Sequence, residues 1–263
     1  MGLKISVARP NILILSANKL GYEVLKECMN NFDANYHVMT LSSESNVVMY
    51  DRIENHFWHD QCNQVFEIES IRQEDIKSIL LSLDLDLMIM CGWRQIISSE
   101  ILKIPKLGTV GFHPTPLPKG RGGAPIINSI LEEWTQSAVT LFYPSEGIDD
   151  GDIIDQEYFE IKKDFYAIDV YNCCIEASRK LISRNIKKII LEKAPRIKQN
   201  EEEATYLRKI TLRDNRISLE SEPEEVYKKI RAFSYPYLGA FIEVGGKKII
   251  IDKARVCTKI RKF

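Results

Sequence analysis

Two short, uninterrupted apolar runs constrain the fold of this chain most. Residues 11–16 read NILILS and residues 86–91 read DLMIMC, without the alternation of apolar and polar residues that a half-exposed strand shows. A strand that is apolar on both sides has to be covered on both faces, and helices cover the faces of parallel sheets. The two runs therefore predict buried strands of a parallel sheet.

Helical and strand patterns alternate around these runs. Apolar residues three and four positions apart define the helices, and short apolar segments define the strands. We predict helices over residues 21–29, 75–83, 124–134 and 164–193, and further strands over residues 36–41, 109–112, 138–143 and 153–161. This alternation predicts an α/β protein with a Rossmann-like, mostly parallel sheet flanked by helices.

The pattern changes after the polar stretch 198–204, which reads KQNEEEA and is typical of a linker. Beyond it, residues 221–224 match a capping box with proline in the first turn of a helix. Residues 239–252 predict a β-hairpin that turns at Gly245 and Gly246. We therefore predict a larger unit over residues 1–197 and a small, β-rich unit over residues 205–263.

The charge of the 263-residue chain is nearly balanced at −1, but it is unevenly distributed. Residues 205–263 carry 14 basic and 7 acidic side chains, so the remainder of the chain is acidic. A basic end segment suits an anionic ligand or an RNA, and it is also common on a solvated face.

The six cysteines include no Cys-x-x-Cys pair, which indicates reduced thiols in an intracellular protein. We therefore expect a cytoplasmic location. No stretch approaches the ~18–20 consecutive apolar residues of a membrane-spanning helix, so we expect no membrane partner.

The sequence lacks the common nucleotide-binding motifs. Residues 16–21 after the first strand read SANKLG instead of G-x-G-x-x-G, and no P-loop occurs. His56, His59 and Cys62 are spaced like metal ligands on one helical turn. Because no second ligand pair lies nearby and Trp58 stands among them, we favour a packed surface segment and predict no metal.

Residues 108–125 read GTVGFHPTPLPKGRGGAP and place His113 at the end of a predicted strand. The carboxyl edge of a parallel sheet is where ligands bind, and the prolines that follow stiffen the loop. A rigid loop beside a histidine suits a positioned acid or base. The alternative is a proline-rich connector.

Residues 143–154 read YPSEGIDDGDII and crowd four carboxylates into one turn between two strands. Such a cluster needs a donor or a cation nearby, because like charges repel. Taken alone, the segment is best interpreted as an acidic surface turn.

Together these two segments resemble the folate-dependent formyltransferase family, which includes glycinamide ribonucleotide, methionyl-tRNA and amino-sugar formyltransferases. The resemblance rests on His113-Pro114, Leu117-Pro118, Arg121-Gly122 and residues 147–152 (GIDDGD), with His113 and Asp149 separated by 36 positions as in the family. Residues 91–98 (CGWRQIIS) look like the folate loop, and residues 231–241 (RAFSYPYLGAF) resemble the family's C-terminal domain.

The resemblance implies a formyl transfer from 10-formyltetrahydrofolate without a metal. His113 is then the base or proton relay, Asp149 orients it, and Pro116, Leu117 and Arg121 border the acceptor amine. The folate donor is expected to lie along two loops, whose residues are Gln95, Ile96, Ile97, Pro144, Ser145, Glu146, Gly147 and Ile148.

One catalytic position departs from the family. The motif there is Asn-x-His, and Gly111 stands in place of the asparagine. Loss of an oxyanion donor costs about 3–4 kcal/mol in other enzymes. Either another donor substitutes, with Arg94, Gln95 and Asn128 as candidates, or the protein only binds folate or a nucleotide sugar.

The acceptor that we favour is a nucleotide-linked amino-deoxy sugar, as in bacterial surface glycans such as the pseudaminic-acid route. The overall charge of −1 and a final unit of about 59 residues argue against a tRNA, which usually needs a broad basic surface. Methionyl-tRNA and a carrier-bound amino acid are the alternative acceptors, and a homodimer is left open.

Overall fold

A seven-stranded sheet forms the centre of the protein in a computed structural model that describes residues 9–45 and 51–257. The strand order is β3-β2-β1-β4-β5-β6-β7. The strands are β1 (Asn11–Leu15), β2 (Asn35–Leu41), β3 (Gln64–Ile68), β4 (Leu87–Met90), β5 (Thr109–His113), β6 (Gln136–Phe142) and β7 (Ile153–Glu160). Strands β1 to β5 run parallel, and β6 and β7 are antiparallel to their neighbours. The predicted Rossmann-like, mostly parallel sheet is confirmed.

Helices connect the strands and cover the sheet. They are α1 (Lys19–Asn31), α2 (Asn55–His59), α3 (Ile76–Ser82), α4 (Ser99–Leu102), α5 (Pro125–Leu131), α6 (Ala167–Ile190) and α7 (Pro223–Phe233). Asn18 caps α1 by accepting a hydrogen bond from the backbone N–H of Gly21. No helix in the described part of the chain is long and apolar enough to cross a bilayer.

The core lies on both faces of the sheet, as the apolar runs predict. Successive residues of β1 point to opposite faces, and all of them beyond Asn11 are fully buried. Ile12 and Ile14 belong to the cluster under α1 and α6, whereas Leu13 and Leu15 belong to the cluster under α3. Both faces of the strand are therefore dry, which is why its sequence shows no alternation.

The C-terminal elements are helix α7 and a hairpin of β8 (Ala240–Val244) and β9 (Lys247–Ile251). Gly245 and Gly246 turn the hairpin with φ of 56° and 75°, in keeping with the predicted turn. The predicted capping box is wrong, because Glu222 precedes the helix and its side chain makes no capping hydrogen bond. Ile230 and Phe233 of α7 join the sheet cluster. The division into residues 1–197 and 205–263 stays a prediction.

Four elements have no counterpart in the predictions, and one of them is a 3-10 helix at Glu201–Glu203 in the predicted linker. Strand β3 lies at the sheet edge with only Ile68 buried, so its sequence lacks a continuous apolar run. Helices α2 and α4 span 5 and 4 residues, too few to show a helical period.

Candidate active site

His113 is the last residue of β5, and its imidazole lies in a nearly closed environment. The residue is 7% exposed, and Nε2 lies 2.8 Å from the backbone oxygen of Gly120. A carbonyl can only accept, so Nε2 carries the proton of this hydrogen bond. In the neutral ring, Nδ1 is then left with a lone pair, which is the form that can act as a base.

Asp149 faces the other ring nitrogen. Its Oδ2 lies 3.5 Å from Nδ1 of His113, beyond ordinary hydrogen-bond length, and the two groups form an ion pair only when the ring is protonated. The same oxygen accepts a 2.9 Å hydrogen bond from the N–H of Gly122. Asp149 has a φ of 50°, a left-handed conformation that non-glycine residues rarely adopt and that clusters at functional sites. The structure thus brings together the predicted pair.

Gly111 lies two residues before His113 on β5, on the same face of the strand, and three side chains lie close to it. A Cβ added at Gly111 would lie 3.1 Å from Met90 Cε, 3.2 Å from Pro144 Cγ and 3.4 Å from Phe142 Cε1. Met90 is the β4 partner of Gly111, and Phe142 is its β6 partner. A side chain at Gly111 would therefore require these neighbours to shift by a few tenths of an ångström.

All three candidate substitutes for the asparagine interact with other groups. The Gln95 amide accepts from Ile71 N–H at 2.8 Å and donates to the Glu69 carbonyl at 3.1 Å. Asn128 is 1% exposed and donates to three backbone carbonyls. Arg94 is exposed on the loop after β4, where its charge opposes the rise that burial causes in the pKa of Tyr237.

The two predicted folate loops lie side by side. Glu146 in the second loop pairs with Lys103 at 3.7 Å, just beyond the first loop. A hydrogen bond from Ser99 and the charge of Lys103 lower the pKa of Glu146. Ile96 and Ile148, one from each loop, are 78% and 62% exposed. Two exposed isoleucines offer an apolar surface that suits a ring system.

The remaining residues of the loops are held by the protein. Ile97 packs against the core cluster under α3, and Ser145 bonds to the Asp150 carboxylate. Pro144 is half-buried next to Gly111, and Gly147 lies against Asp150. Contact of these loops with folate stays a prediction.

The loop expected to border the acceptor presents fewer side chains than predicted. Pro116 is half-buried, but Leu117 is 2% exposed and packs with Phe142 and Ile153. Arg121 is 1% exposed, and its guanidinium binds the Glu201 carboxylate through two nitrogens, at 2.9 and 2.7 Å. The side chains of Leu117 and Arg121 are therefore turned into the protein and not toward an acceptor.

The segment around His56 packs as a surface element. Trp58 is fully buried against Tyr22, and His56 pairs with Glu54 at 3.3 Å. Among the residues that the structure describes, no three His, Cys, Asp or Glu side chains group as metal ligands.

Residues 196–207 make hydrogen bonds to the loops of the candidate site that the sequence does not indicate. Gln199 and Thr205 bind the backbone of the Asp149 and His113 loops, respectively. Residues 198–204 of this segment are predicted as a linker because they are polar, and no motif distinguishes a polar residue that binds a loop from one that faces water.

Comparison with known proteins agrees with this architecture. The profile described as "Formyl transferase" matches residues 14–186, and "Formyl transferase, C-terminal domain" matches residues 209–262. A methionyl-tRNA formyltransferase from Bacillus thuringiensis is 34% identical over 179 residues, or 68% of this chain. The match spans 57% of the length of that relative.

Solved structures share the fold. An N-formyltransferase from Helicobacter canadensis, in complex with folinic acid and dTDP-3-aminofucose, has a TM-score of 0.70 at 22% identity, covering 92% of this chain and 86% of that one. A methionyl-tRNA formyltransferase from Clostridium thermocellum has a TM-score of 0.66 at 20% identity, covering 94% of each chain. With two thirds of its length matched by the family profile and its His113–Asp149 pair in place, the chain belongs to the formyl transferase family.

Proposed function

We propose that the protein transfers a formyl group from 10-formyltetrahydrofolate to the amine of a nucleotide-linked amino-deoxy sugar. The observation that carries the chemistry is the arrangement of His113, whose Nε2 is held by a backbone carbonyl while Nδ1 faces a carboxylate. This is the geometry of an oriented base, because the hydrogen bond donated by Nε2 fixes the tautomer of the ring and leaves the lone pair on Nδ1.

The reaction requires one proton to move. A free amine with a pKa of ~8–10 is mostly protonated at neutral pH, so a neutral amine has to be kept available for attack on the formyl carbon. As the new C–N bond forms, Nδ1 of His113 takes a proton from the amine. When the bond from carbon to N10 of the folate breaks, that proton is delivered to N10. The Asp149 carboxylate stabilises the imidazolium that exists between these steps.

The donor is placed along the two loops that flank Gly111. Ile96 and Ile148 supply apolar surface, and the loop backbones supply donors and acceptors for a pterin ring. These loops would hold the donor beside the strand end that carries His113. In support, the Helicobacter canadensis relative of the same fold is in complex with folinic acid.

A nucleotide sugar is favoured as acceptor by charge and size. The overall charge is −1, and the described residues after 205 form helix α7 and one hairpin. A few basic residues suffice for the phosphates of one nucleotide, whereas a tRNA usually needs a broad basic surface. The Helicobacter canadensis relative is in complex with dTDP-3-aminofucose. Assembly of two chains into a homodimer stays a prediction.

Methionyl-tRNA is the second candidate acceptor. It is favoured by the 34% identity to the Bacillus protein named methionyl-tRNA formyltransferase. The basic surplus of residues 205–263 is compatible with this acceptor as well.

A single-turnover assay with 10-formyltetrahydrofolate and three amines tests these candidates. The amines are dTDP-3-aminofucose, methionyl-tRNA and free methionine as a control. We expect formylated dTDP-3-aminofucose by mass spectrometry. Formylation of methionyl-tRNA alone would establish the second candidate. Tight folate binding without transfer to any amine would establish a binding protein, as Gly111 allows.

A further inference from the structure

Residues 196–207 form a surface segment, here called the strap, that contacts both loops of the candidate site. Gln199 contacts the first of them. Its side-chain Nε2 donates to the backbone oxygen of Asp149 at 2.7 Å and to that of Gly151 at 2.8 Å. The conformation of the acidic turn is therefore held from outside by one amide group.

Two further contacts restrain the acidic turn. Ile197 and Ile153 exchange two backbone hydrogen bonds, of 2.7 and 2.9 Å. Gly151 packs so closely that a Cβ there would lie 1.7 Å from the backbone oxygen of Tyr143. The turn has little freedom, and Gln199 holds it directly at Asp149.

Thr205 of the strap contacts the second loop. Its Oγ1 accepts from Gly120 N–H at 2.9 Å, and its backbone oxygen accepts from Arg121 N–H at 2.9 Å. Gly120 is the residue whose carbonyl holds Nε2 of His113. A shift of Thr205 would therefore move the hydrogen-bond acceptor of the imidazole.

Arg121 joins the two contacts into one network. Its guanidinium donates to Oε1 of Gln199 at 3.1 and 2.9 Å as well as to Glu201. Gln199 thus accepts from the His113 loop through Oε1 and donates to the Asp149 loop through Nε2. Both functions of one amide are used, so neither a carboxylate nor an apolar group can replace it.

We propose that Gln199 and Thr205 are positioning residues for formyl transfer, acting through Asp149 and through the Gly120 carbonyl that orients His113. The inference rests on the proposed function, since it assigns these residues to that reaction. A displacement of the reacting groups by about 1 Å can lower the rate about 100-fold. Two loops from distant parts of the chain therefore need contacts that hold them in register. The alternative is a strap that only stabilises the fold.

Gln199→Glu tests the first contact with little change in size. The carboxylate still accepts from Arg121, but it cannot donate to the two carbonyls of the acidic turn. With dTDP-3-aminofucose as acceptor, we expect kcat to fall about 10- to 100-fold while KM for the folate donor changes less than about threefold. Glu202→Gln is the control, because Glu202 is exposed in the same segment and we expect wild-type kinetics.

Thr205→Val tests the second contact independently. Valine keeps the shape of the side chain and removes the hydroxyl that accepts from Gly120 N–H. We expect kcat to fall about 10-fold at unchanged KM, and Thr205→Ser to restore it because the hydroxyl returns. Thr205 is exposed, so this variant tests the proposal even if Gln199→Glu fails to fold.

A readout without an acceptor separates this inference from the proposed function. The ring ¹⁵N signals of His113, identified by their loss in His113→Asn, report which nitrogen holds the proton. We expect them to shift in Gln199→Glu and Thr205→Val and to overlay the wild type in Glu202→Gln. Unchanged signals in both variants would overturn the strap proposal, whatever happens to kcat. Absence of formyl transfer in the wild-type protein would overturn the proposed function and leave the ring signals to decide on the strap.

Discussion

The carboxylate of Asp149 lies 3.5 Å from Nδ1 of His113 while it is held by the backbone N–H of Gly122 at 2.9 Å. One oxygen serves both contacts, so the charge that faces the imidazole is fixed before any ligand binds. Catalytic hydrogen bonds are often long without substrate and tighten in the complex. Once Nδ1 carries a proton, a small closure converts the contact into a hydrogen bond from Nδ1 to the carboxylate.

His113→Asn is expected to abolish most formyl transfer. Asparagine is polar but cannot take a proton at neutral pH, and general base catalysis is worth about 100- to 10,000-fold. Because the expected folate loops lie on other segments, donor binding is expected to stay within a few-fold. Single-turnover rates and a fluorescence titration of the donor measure the two quantities. His59→Asn, at an exposed position of α2, is the control. Near wild-type turnover in His113→Asn would refute the assigned role.

Asp149→Asn removes the charge and keeps the shape. The asparagine oxygen can still accept from Gly122 N–H, and asparagine tolerates the φ of 50° at this position. We expect kcat to fall about 10- to 100-fold because the imidazolium loses its counter-charge. The double variant with His113→Asn is expected to be no slower than His113→Asn alone, since residues that act as a unit are not additive.

Asp152→Asn in the same acidic turn is the matched control for the charge itself. Its carboxylate has no assigned contact with His113, so turnover is expected to stay at the wild-type level. Equal losses in Asp149→Asn and Asp152→Asn would show that the turn acts through its total charge and not through one oriented group.

The sequence predicted the parts of the site that depend on local pattern. His113 ends a buried strand, as the apolar pattern predicts, and Asp149 lies in the turn between β6 and β7. Their pairing was predicted from the family resemblance and not from strand order, because β6 runs antiparallel to β5 and ends opposite Gly111. The fixed tautomer depends on the Gly120 carbonyl, whose position is set by Thr205, 85 residues away. Packing between distant segments leaves no spacing rule in one sequence, which is why the engagement of Arg121 with Glu201 was not predicted either.

Salt dependence is expected to distinguish the two acceptors. Between 50 and 200 mM salt, a protein that contacts 6–10 phosphates of a nucleic acid loses about 10³–10⁵ in affinity, because bound counterions are released. A nucleotide sugar presents few charges, so we expect less than about a tenfold loss for dTDP-3-aminofucose. Isothermal titration across this range measures both. Tight binding of initiator tRNA with a steep salt slope would contradict the sugar assignment.

Asp214 is expected to make stability fall in acid. Burial acts to raise the pKa of its carboxyl, but hydrogen bonds from Arg208 and Thr211 outweigh burial and lower that pKa to about 2. The folded-state pKa is below the unfolded value of about 4, so the contribution is complete above pH 4 and is lost as pH falls toward 2. Asp214→Asn is expected to cost roughly 1 kcal/mol at pH 7, since Arg208 is solvent-exposed, and less at pH 3 by urea unfolding. An equal cost at both pH values would contradict this assignment.

Gly111→Asn, which restores the residue of the family motif, is expected not to raise turnover. A Cβ alone would approach Met90 Cε and Pro144 Cγ to 3.1 and 3.2 Å, and asparagine adds three further heavy atoms. Overpacking of this kind costs about 1–3 kcal/mol, so we expect a lower free energy of unfolding in urea and a displaced folate loop at Pro144. Gly111→Ala separates crowding from chemistry, because it adds the Cβ without an amide and is expected to lose less stability. A rise in turnover approaching the ~100-fold effect of one oxyanion donor would mean that the wild-type site lacks such a donor. It would also mean that the side chains around Gly111 move to admit the asparagine. Lower stability of both Gly111 variants without a gain in turnover would show that Met90 and Pro144 leave too little room for a side chain here.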